Sequence, residues 1–227
     1  MASVRLMTWN VHGFRAGPKA VAQAVAAREP DIAFLNEVEP RRSLKRFASA
    51  LGAQTASGLR CRGGIPNAIV VRPPWRILET RTVPLTRTGK LIPRGTVLAH
   101  LGRSGARLWA ACVHLGLSDR ERAGHARELS DLLAGLAGPV VLGGDLNESP
   151  EGAAASWLTE RLWDAFAQAG EGEGLSYPAS EPRARIDYLL LGAGLRAERA
   201  WVEDRTEVRA ASDHLPIFAD VALQDGP

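Results

Sequence analysis

The amino-acid sequence predicts a mixed α/β fold, and three observations predict it. Short apolar runs of strand type outnumber helical stretches, the helices are interspersed among the strands, and no Gly-, Pro- or Ser-rich linker is long enough to divide the chain. The whole chain, residues 1–227, therefore reads as a single domain, large enough to bury a core without disulfide staples.

The elements follow in order. Residues 4–10 form an apolar strand that stops at Asn10. Residues 18–28 are helical: Pro18 suits a first turn, and Ala20, Val21, Ala24 and Val25 recur at helical spacing. Residues 31–36 are a short apolar strand running into Glu37, and 40–51 a helix with a basic face. From 53 to 101 the pattern changes to short β runs, 68–71, 76–83 and 96–101, punctuated by Gly and Pro. Residues 108–115 are a strand ending at His114. Residues 118–136 are a long helix with Ser118 as N-cap and Glu121 three residues on. Residues 138–143 are an apolar strand running into Asp145, 153–162 a helix, and 170–182 a Gly/Pro/Glu-rich loop. Strands at 185–191, 199–203 and 215–223 complete the chain, and 224–227 should fray.

One internal echo is visible. Residues 6–10 and 140–145 are each an apolar strand stopping at polar residues two apart, Asn10 with His12 and Asp145 with Asn147. Alternate strand residues face the same way, so each pair can present two groups at a strand end, which hints at two similar halves.

Charge is unevenly placed. Between Gly58 and Gly95 stand Arg60, Arg62, Arg72, Arg76, Arg81, Arg87, Lys90 and Arg94 against the single acid Glu79, a segment of +7 that leaves −4 for the rest of a chain of net charge +3. Such a segment can meet a polyanion such as nucleic acid, or be solvated arginines on exposed strands; Asn67 within it favours the first reading. Cys61 and Cys112 match no metal-ligand spacing and read as free thiols, Cys112 as a small buried hydrophobe. With no apolar leader at the N-terminus and no run of membrane-span length, the expected location is cytoplasmic.

Polar residues stand where apolar strands stop: Asn10, Glu37, His114 and Asp145, with Asp187 inside the apolar run 186–191 and Asp213-His214 just before 215–223. Strand ends are where α/β sheets bind ligands. Singly, each has a structural explanation: a surface acid for Glu37, a turn or cap for Asn10, Asp145-Leu146-Asn147 and Ser212-Asp213, a core histidine for His114. Asp187 needs a partner, since an unpaired carboxylate among apolar neighbours costs several kcal/mol. A histidine, a metal, or an internal salt bridge to Arg183 or Arg185 would serve. Together these residues form a full set for metal-assisted phosphoryl chemistry.

The segments Thr8-Trp9-Asn10, Leu35-Asn36-Glu37, Asn67-Ala68-Ile69-Val70, Val113-His114-Leu115, Gly144-Asp145-Leu146-Asn147, Arg185-Ile186-Asp187-Tyr188 and Ser212-Asp213-His214-Leu215-Pro216 occur in this order. They resemble the endonuclease/exonuclease/phosphatase superfamily, which includes pancreatic-type deoxyribonucleases, abasic-site endonucleases, neutral sphingomyelinases and inositol-polyphosphate phosphatases. The resemblance runs from Thr8 to Pro216. It implies a four-layer α/β/β/α sandwich of two packed mixed sheets flanked by helices, with the site at one edge of the sheets. It also implies that Glu37 is the main metal carboxylate, with Asn10 nearby and Asp213 binding the metal directly or through water. Mg²⁺ is the default cofactor for such hard oxygen ligands, with Mn²⁺ a possible substitute. Asp145 would orient and deprotonate the attacking water, Asn147 would hold a phosphate oxygen or the water, and Asn67 would help position the phosphate. His214 would donate to a non-bridging oxygen with Asp187 on its other ring nitrogen, and His114 would stand near the leaving group.

Two departures matter. The family usually has Gln where Asn36 stands, and Gln where His125 stands, with Arg122 nearby; the last two are left outside the core site. A histidine at 114 also argues against the abasic-site branch. The expected activity is a Mg²⁺-dependent phosphodiesterase, a nuclease on DNA or RNA backbones, favoured by the basic segment. The alternative is a phosphoesterase acting on a lipid headgroup or phosphorylated small molecule. Membrane association is not expected, since Pro73-Pro74-Trp75 is the sole candidate for an exposed apolar loop. A catalytically silent binding module would predict loss of Asp145, His214 or Glu37, and all three are present.

Overall fold

The computed structural model describes residues 2–59, 64–87 and 93–224. Its strands are β1 (Ala2–Asn10), β2 (Ile32–Asn36), β3 (Gln54–Leu59), β4 (Gly64–Val71), β5 (Arg76–Pro84), β6 (Gly95–Arg103), β7 (Ala106–His114), β8 (Val140–Asp145), β9 (Trp163–Asp164), β10 (Asp187–Leu191), β11 (Leu195–Val202) and β12 (Ile217–Leu223). Its helices are α1 (Pro18–Ala26), α2 (Arg41–Ala50), α3 (Asp119–Ala134), α4 (Ala153–Thr159), α5 (Ala165–Ala169) and α6 (Thr206–Arg209).

The strands form two six-stranded sheets, ordered β11-β12-β1-β2-β4-β3 and β5-β6-β7-β8-β10-β9. In each, the central pair (β1 with β2, β7 with β8) is parallel and the remaining neighbours are antiparallel. A parallel pair needs a crossover, and α1 and α3 supply it. The two sheets are thus built on one plan, as the sequence echo suggested.

Strand alternation sorts the core into three zones. One face of each sheet meets the other: Leu6, Phe34 and Ile69 pack with Val97, Cys112 and Leu189. Met7, Trp9 and Leu35 face the opposite way, onto Val21, Leu44 and Phe47 of α1 and α2. Leu98, Ala111 and Leu142 meet Ala126, Leu129 and Leu158 of α3 and α4. This is the expected four-layer α/β/β/α sandwich. Each large apolar side chain fully buried there contributes roughly 1.5–3 kcal/mol.

Local signals hold where they were specific. Ser118 Oγ accepts from Glu121 N–H (3.3 Å), capping α3. Other pieces had no such signal. β3 (QTASGL) lacks an apolar alternation and exists through its ladder with β4. β9 and α5 are two and five residues long, α5 being started by Asp164 Oδ1, which accepts from Phe166 N–H at 2.9 Å. Trp75 is 1% exposed and packs in the central core, so the loop before it is no apolar protrusion. Cys112 is a buried free thiol, held near Leu35 O, and burial pushes it up to about 12. Cys61, Arg60, Arg62 and Lys90 lie outside the described residues. Among the described residues, no helix is long and apolar enough to cross a membrane.

Candidate active site

At one end of both sheets, polar side chains form two matching rows. In the first sheet Asn10 and Asn36 are parallel partners at the ends of β1 and β2, and Asn67 of β4 pairs with Asn36. In the second, His114 and Asp145 are parallel partners at the ends of β7 and β8, and Asp187 of β10 pairs with Asp145. The backbone repeats as well. Val11 N–H donates to Asn36 O (3.1 Å) in one half, and Leu115 N–H to Asp145 O (3.0 Å) in the other. Asn10 Oδ1 accepts from His12 N–H (3.1 Å), and Asp145 Oδ1 from Asn147 N–H (2.8 Å).

Two glycines let β8 bring Asp145 to this edge. A Cβ on Gly143 would lie 2.4 Å from the Phe34 ring of the facing sheet, and one on Gly144 (φ +147) would lie 1.9 Å from Val113 O. The Gly-Asp-Leu-Asn segment is therefore shaped by close approach, and Asn147 turns out of it at φ +52.

The amides bind the two sheets together. Asn36 Oδ1 accepts from Asp145 N–H (3.0 Å), while its Nδ2 donates to Val113 O (2.8 Å) and Asn67 Oδ1 (3.0 Å). Asn67 Nδ2 donates to Gly95 O (2.9 Å). Asn67 is 1% exposed with both ends of its amide engaged, so it meets a substrate only through those neighbours. Asn10 Nδ2 reaches Glu37 Oε1 (3.0 Å) and Asp145 Oδ2 (3.2 Å), bridging the rows.

Asp145 sits between two imidazoles. Its Oδ2 is 3.4 Å from His114 Nε2 and 3.8 Å from His214 Nε2. On the far side, His214 Nδ1 lies 2.9 Å from Asp187 Oδ2, which also accepts from Ser176 Oγ at 2.7 Å. This answers the need of Asp187 for a partner. Arg185 and Arg183 instead pair with Asp164 and Glu181, so the salt-bridge alternative falls.

The two imidazoles are driven in opposite directions. Burial pulls His114 down to about 4, outweighing the pull of Asp145, and Arg94 and His214 add to the fall. Burial also pulls at His214, but Asp187, by charge and hydrogen bond, with Asp145 and Asp213, lifts it to about 9. His214 is thus cationic and His114 neutral near pH 7. Burial raises Asp145 itself, against the lowering by His114, His214 and the Asn147 amide.

The segment carrying His214 is tied to β1. Ser212 Oγ donates to Asn10 O (2.6 Å) and Trp9 Nε1 to His214 O (2.8 Å). The ring of Tyr177, partly exposed, lies 4.7 Å from that of His214.

Glu37 turns away from β2 at φ +54 and is half-buried. It borders a cavity of about 310 Å³ shared with His12, Arg15 and Arg94. Asp213 is nearby in the chain of contacts, through His12 Nδ1, 3.2 Å from Asp213 Oδ1. Glu37 and Asp213 offer hard oxygens with solvent access, which fits a divalent cation that keeps some of its waters. Asp145, Asp187 and His214 also bring ligand atoms within 4.8 Å of one another. That trio fits a cation less well, because His214 Nδ1 and Asp187 Oδ2 are already bonded to each other.

Sequence reading passed over three contributors. Arg94, half-buried beside Asp145, Glu37 and Glu121, is held down by burial against the lift from those charges; its only signal was its place just before a strand, in the basic segment. The described members of that segment do not share one surface, since Arg94 borders the site and Arg76 a cavity at the other end of the sheet. Ser176 had no signal. Arg122 joins the turn at Asn147 to α3: its Nε donates to Glu148 Oε1 (2.9 Å) and its Nη1 to Leu117 O (2.7 Å), while Glu148 Oε2 accepts from Ala154 N–H, at the start of α4 (2.6 Å).

Solved structures share this architecture. An endonuclease/exonuclease/phosphatase of Bacteroides vulgatus aligns at a TM-score of 0.86 and 17% identity, over 99% of this chain and 100% of that one. The mannosyl-6-phosphatase of Bacteroides thetaiotaomicron aligns at 0.84 and 19%, over 97% and 100%. The truncated TDP2 of Caenorhabditis elegans aligns at 0.79 and 21%, over 96% and 97%. Among curated proteins no sequence match is found. Residues 7–214, which run from the first strand to His214 and so take in both rows, match the Endonuclease/Exonuclease/phosphatase family, and the chain belongs to that family of metal-dependent phosphoesterases.

Proposed function

We propose that the chain is a Mg²⁺-dependent phosphodiesterase that cleaves nucleic-acid backbones by attack of water on phosphorus. One observation carries this reading: a buried carboxylate, Asp145, stands between a neutral and a cationic imidazole and is bridged by Asn10 to Glu37. In this reading Asp145 orients the water and takes its proton, a role helped by the raised affinity of the buried carboxylate for a proton. His214, held cationic by Asp187, donates to a non-bridging oxygen as negative charge accumulates. His114 hydrogen-bonds on the leaving-group side, and Asn147, whose Nδ2 is spent on Leu115 O (3.1 Å), offers its remaining amide face to the water or a phosphate oxygen. Asn67 supports the phosphate position through Asn36 and Gly95. Glu37, Asn10 and Asp213 would hold the Mg²⁺, with Mn²⁺ able to replace it, and the ion would supply charge neutralisation at the phosphate. Arg94 adds a further cation at that edge.

The whole chain, 1–227, is proposed to act as one domain, supported by a central core drawn from both sheets. A cytoplasmic location is proposed on the free thiol of Cys112. A second reading, hydrolysis of a small phosphate ester, is favoured by the cavity beside Glu37, whose ~310 Å³ suits a small ligand.

The deciding experiment is a Mg²⁺-supplemented panel of plasmid DNA, single-stranded DNA, RNA, abasic DNA, sphingomyelin, inositol phosphates and sugar phosphates. Cleavage of the nucleic acids is expected. Turnover confined to the small esters selects the second reading, and full activity in excess chelator overturns the metal mechanism.

A further inference from the structure

A second cavity, about 800 Å³, opens at the other end of the sandwich, lined among others by Gln54, Trp75, Arg76, Leu78, Arg103 and Arg107. Strand β6 connects the two ends. It starts at Gly95, whose carbonyl accepts from Asn67, and ends at Arg103 on the cavity wall. Its eight residue steps, at about 3.3 Å each, separate the two sites by roughly 26 Å.

The wall offers donors and no carboxylate. Arg107 Nη1 donates to the neighbouring Ala106 O (3.1 Å), Arg103 lies over the Trp75 ring at 5.0 Å, and among the described residues none of the three arginines pairs with an acid. Elsewhere among the described residues eleven arginines do pair with carboxylates, from Arg5 with Asp220 to Arg209 with Asp204. Gln54 Oε1 is taken by Ile77 N–H (3.3 Å), which leaves the amide nitrogen as a donor. Trp75, locked in the core, leaves its indole N–H without a hydrogen-bond partner. Such a group is a donor only and costs about 1–3 kcal/mol when unsatisfied. Three guanidiniums around one concavity also repel one another unless an anion lies between them. The rest of the wall is apolar: Pro73, Pro74 and Leu78, the last 51% exposed.

We propose that this cavity is a second ligand site, separate from the catalytic rows, that takes a soluble organic phosphate. Guanidinium forks match phosphate oxygens in pairs, which an ammonium cannot do. The organic body lies against the two prolines and Leu78. The cavity volume lies within the range of small-molecule sites, and its concavity selects a small solute over a flat lipid surface.

The test is calorimetric titration of ADP, and separately of inorganic pyrophosphate, into the full chain in excess chelator and about 0.15 M salt, where exposed surface charge is screened. Three proteins are compared: wild type, the double variant Arg103→Ala/Arg107→Ala, and His214→Ala. ADP is expected to bind with a sub-millimolar Kd, weakened about ten-fold or more in the double variant and unchanged in His214→Ala. Pyrophosphate is expected to bind the same arginines more weakly than ADP, for want of the apolar contact. The single variant Arg103→Gln, expected to weaken ADP in the same sense, replaces the double variant if that one melts early. Absence of ADP binding overturns the proposal, as does binding lost in His214→Ala but kept in the arginine variants. So does binding to phosphatidylglycerol vesicles with none to ADP. Because no turnover is read, failure here leaves the catalytic reading intact.

Discussion

At the same register of the two sheets, the first presents Asn10, Asn36 and Asn67, and the second presents His114, Asp145 and Asp187. The backbone plan is common to both, so the contrast is one of side-chain chemistry alone. Amides are neutral at every pH and carry donor and acceptor together, so a buried row of them satisfies itself and its neighbours. A row of titratable groups cannot do this. Asp187 is compensated by His214 and Ser176, and Asp145 by two imidazoles, Asn10 and the Asn147 amide. The first sheet presents neutral amides and the second titratable groups, with Asn10 and Asn36 joining them.

That division can be broken from either side. The largest effect should come from Asp145→Asn, which turns the middle of the second row into a copy of the first. Turnover of a chromogenic phosphodiester should fall about 10²-fold or more while the folded state persists. A wild-type rate would mean that the second row is not the reactive one. Next in size is Asn36→Ala. It removes the partners of Asp145 N–H and Asn67 Oδ1, both on residues only 1% exposed. Urea denaturation should report a loss of about 1–3 kcal/mol. A loss near zero would mean that the amide row is not a strut.

The smallest effect is in the pH dependence of stability without metal. His114 is lowered to about 4 in the folded state, so between about 6.5 and 4 the unfolded chain binds the extra proton. Its contribution is present above 6.5 and lost as pH falls through 4. His214 is raised to about 9, so its contribution is present below 6.5 and lost as pH rises through 9. His114→Gln should flatten the acid side of the melting curve and Asp187→Asn the alkaline side, each by about 2–4 °C. Identical pH profiles for the two variants would contradict the opposed roles of the imidazoles.

Much of this site was legible before any coordinates. Apolar strands that stop at polar residues mark an edge, and the order of Asn10, Glu37, His114, Asp145 and His214 along the chain identified the chemistry expected there. The N-cap at Ser118 and the crossover helices were legible too, because caps and helical periodicity are local signals. β3 and β9 were not, since an edge strand held by backbone pairing needs no apolar alternation. Nor was the partner of Asp187. Arg185 is two residues away in the chain, yet the carboxylate is met by His214, 27 residues on, and by Ser176, 11 residues before it. Separation along the sequence says little about which of several possible counter-charges arrives.

By itself, then, the sequence determined the α/β class, the polar residues that close the apolar strands, and the phosphoesterase family. The first two depend on residue identity within a few positions of chain, and the family on the order in which such short segments follow one another. Only the tertiary structure decided that the two halves place amides and acids in matching rows. It alone drove His114 and His214 in opposite directions, brought Arg94 beside the acids, and grouped Arg76, Arg103 and Arg107 around a second cavity. These outcomes depend on burial and on charges from distant segments, and both exist only once the sheets have packed.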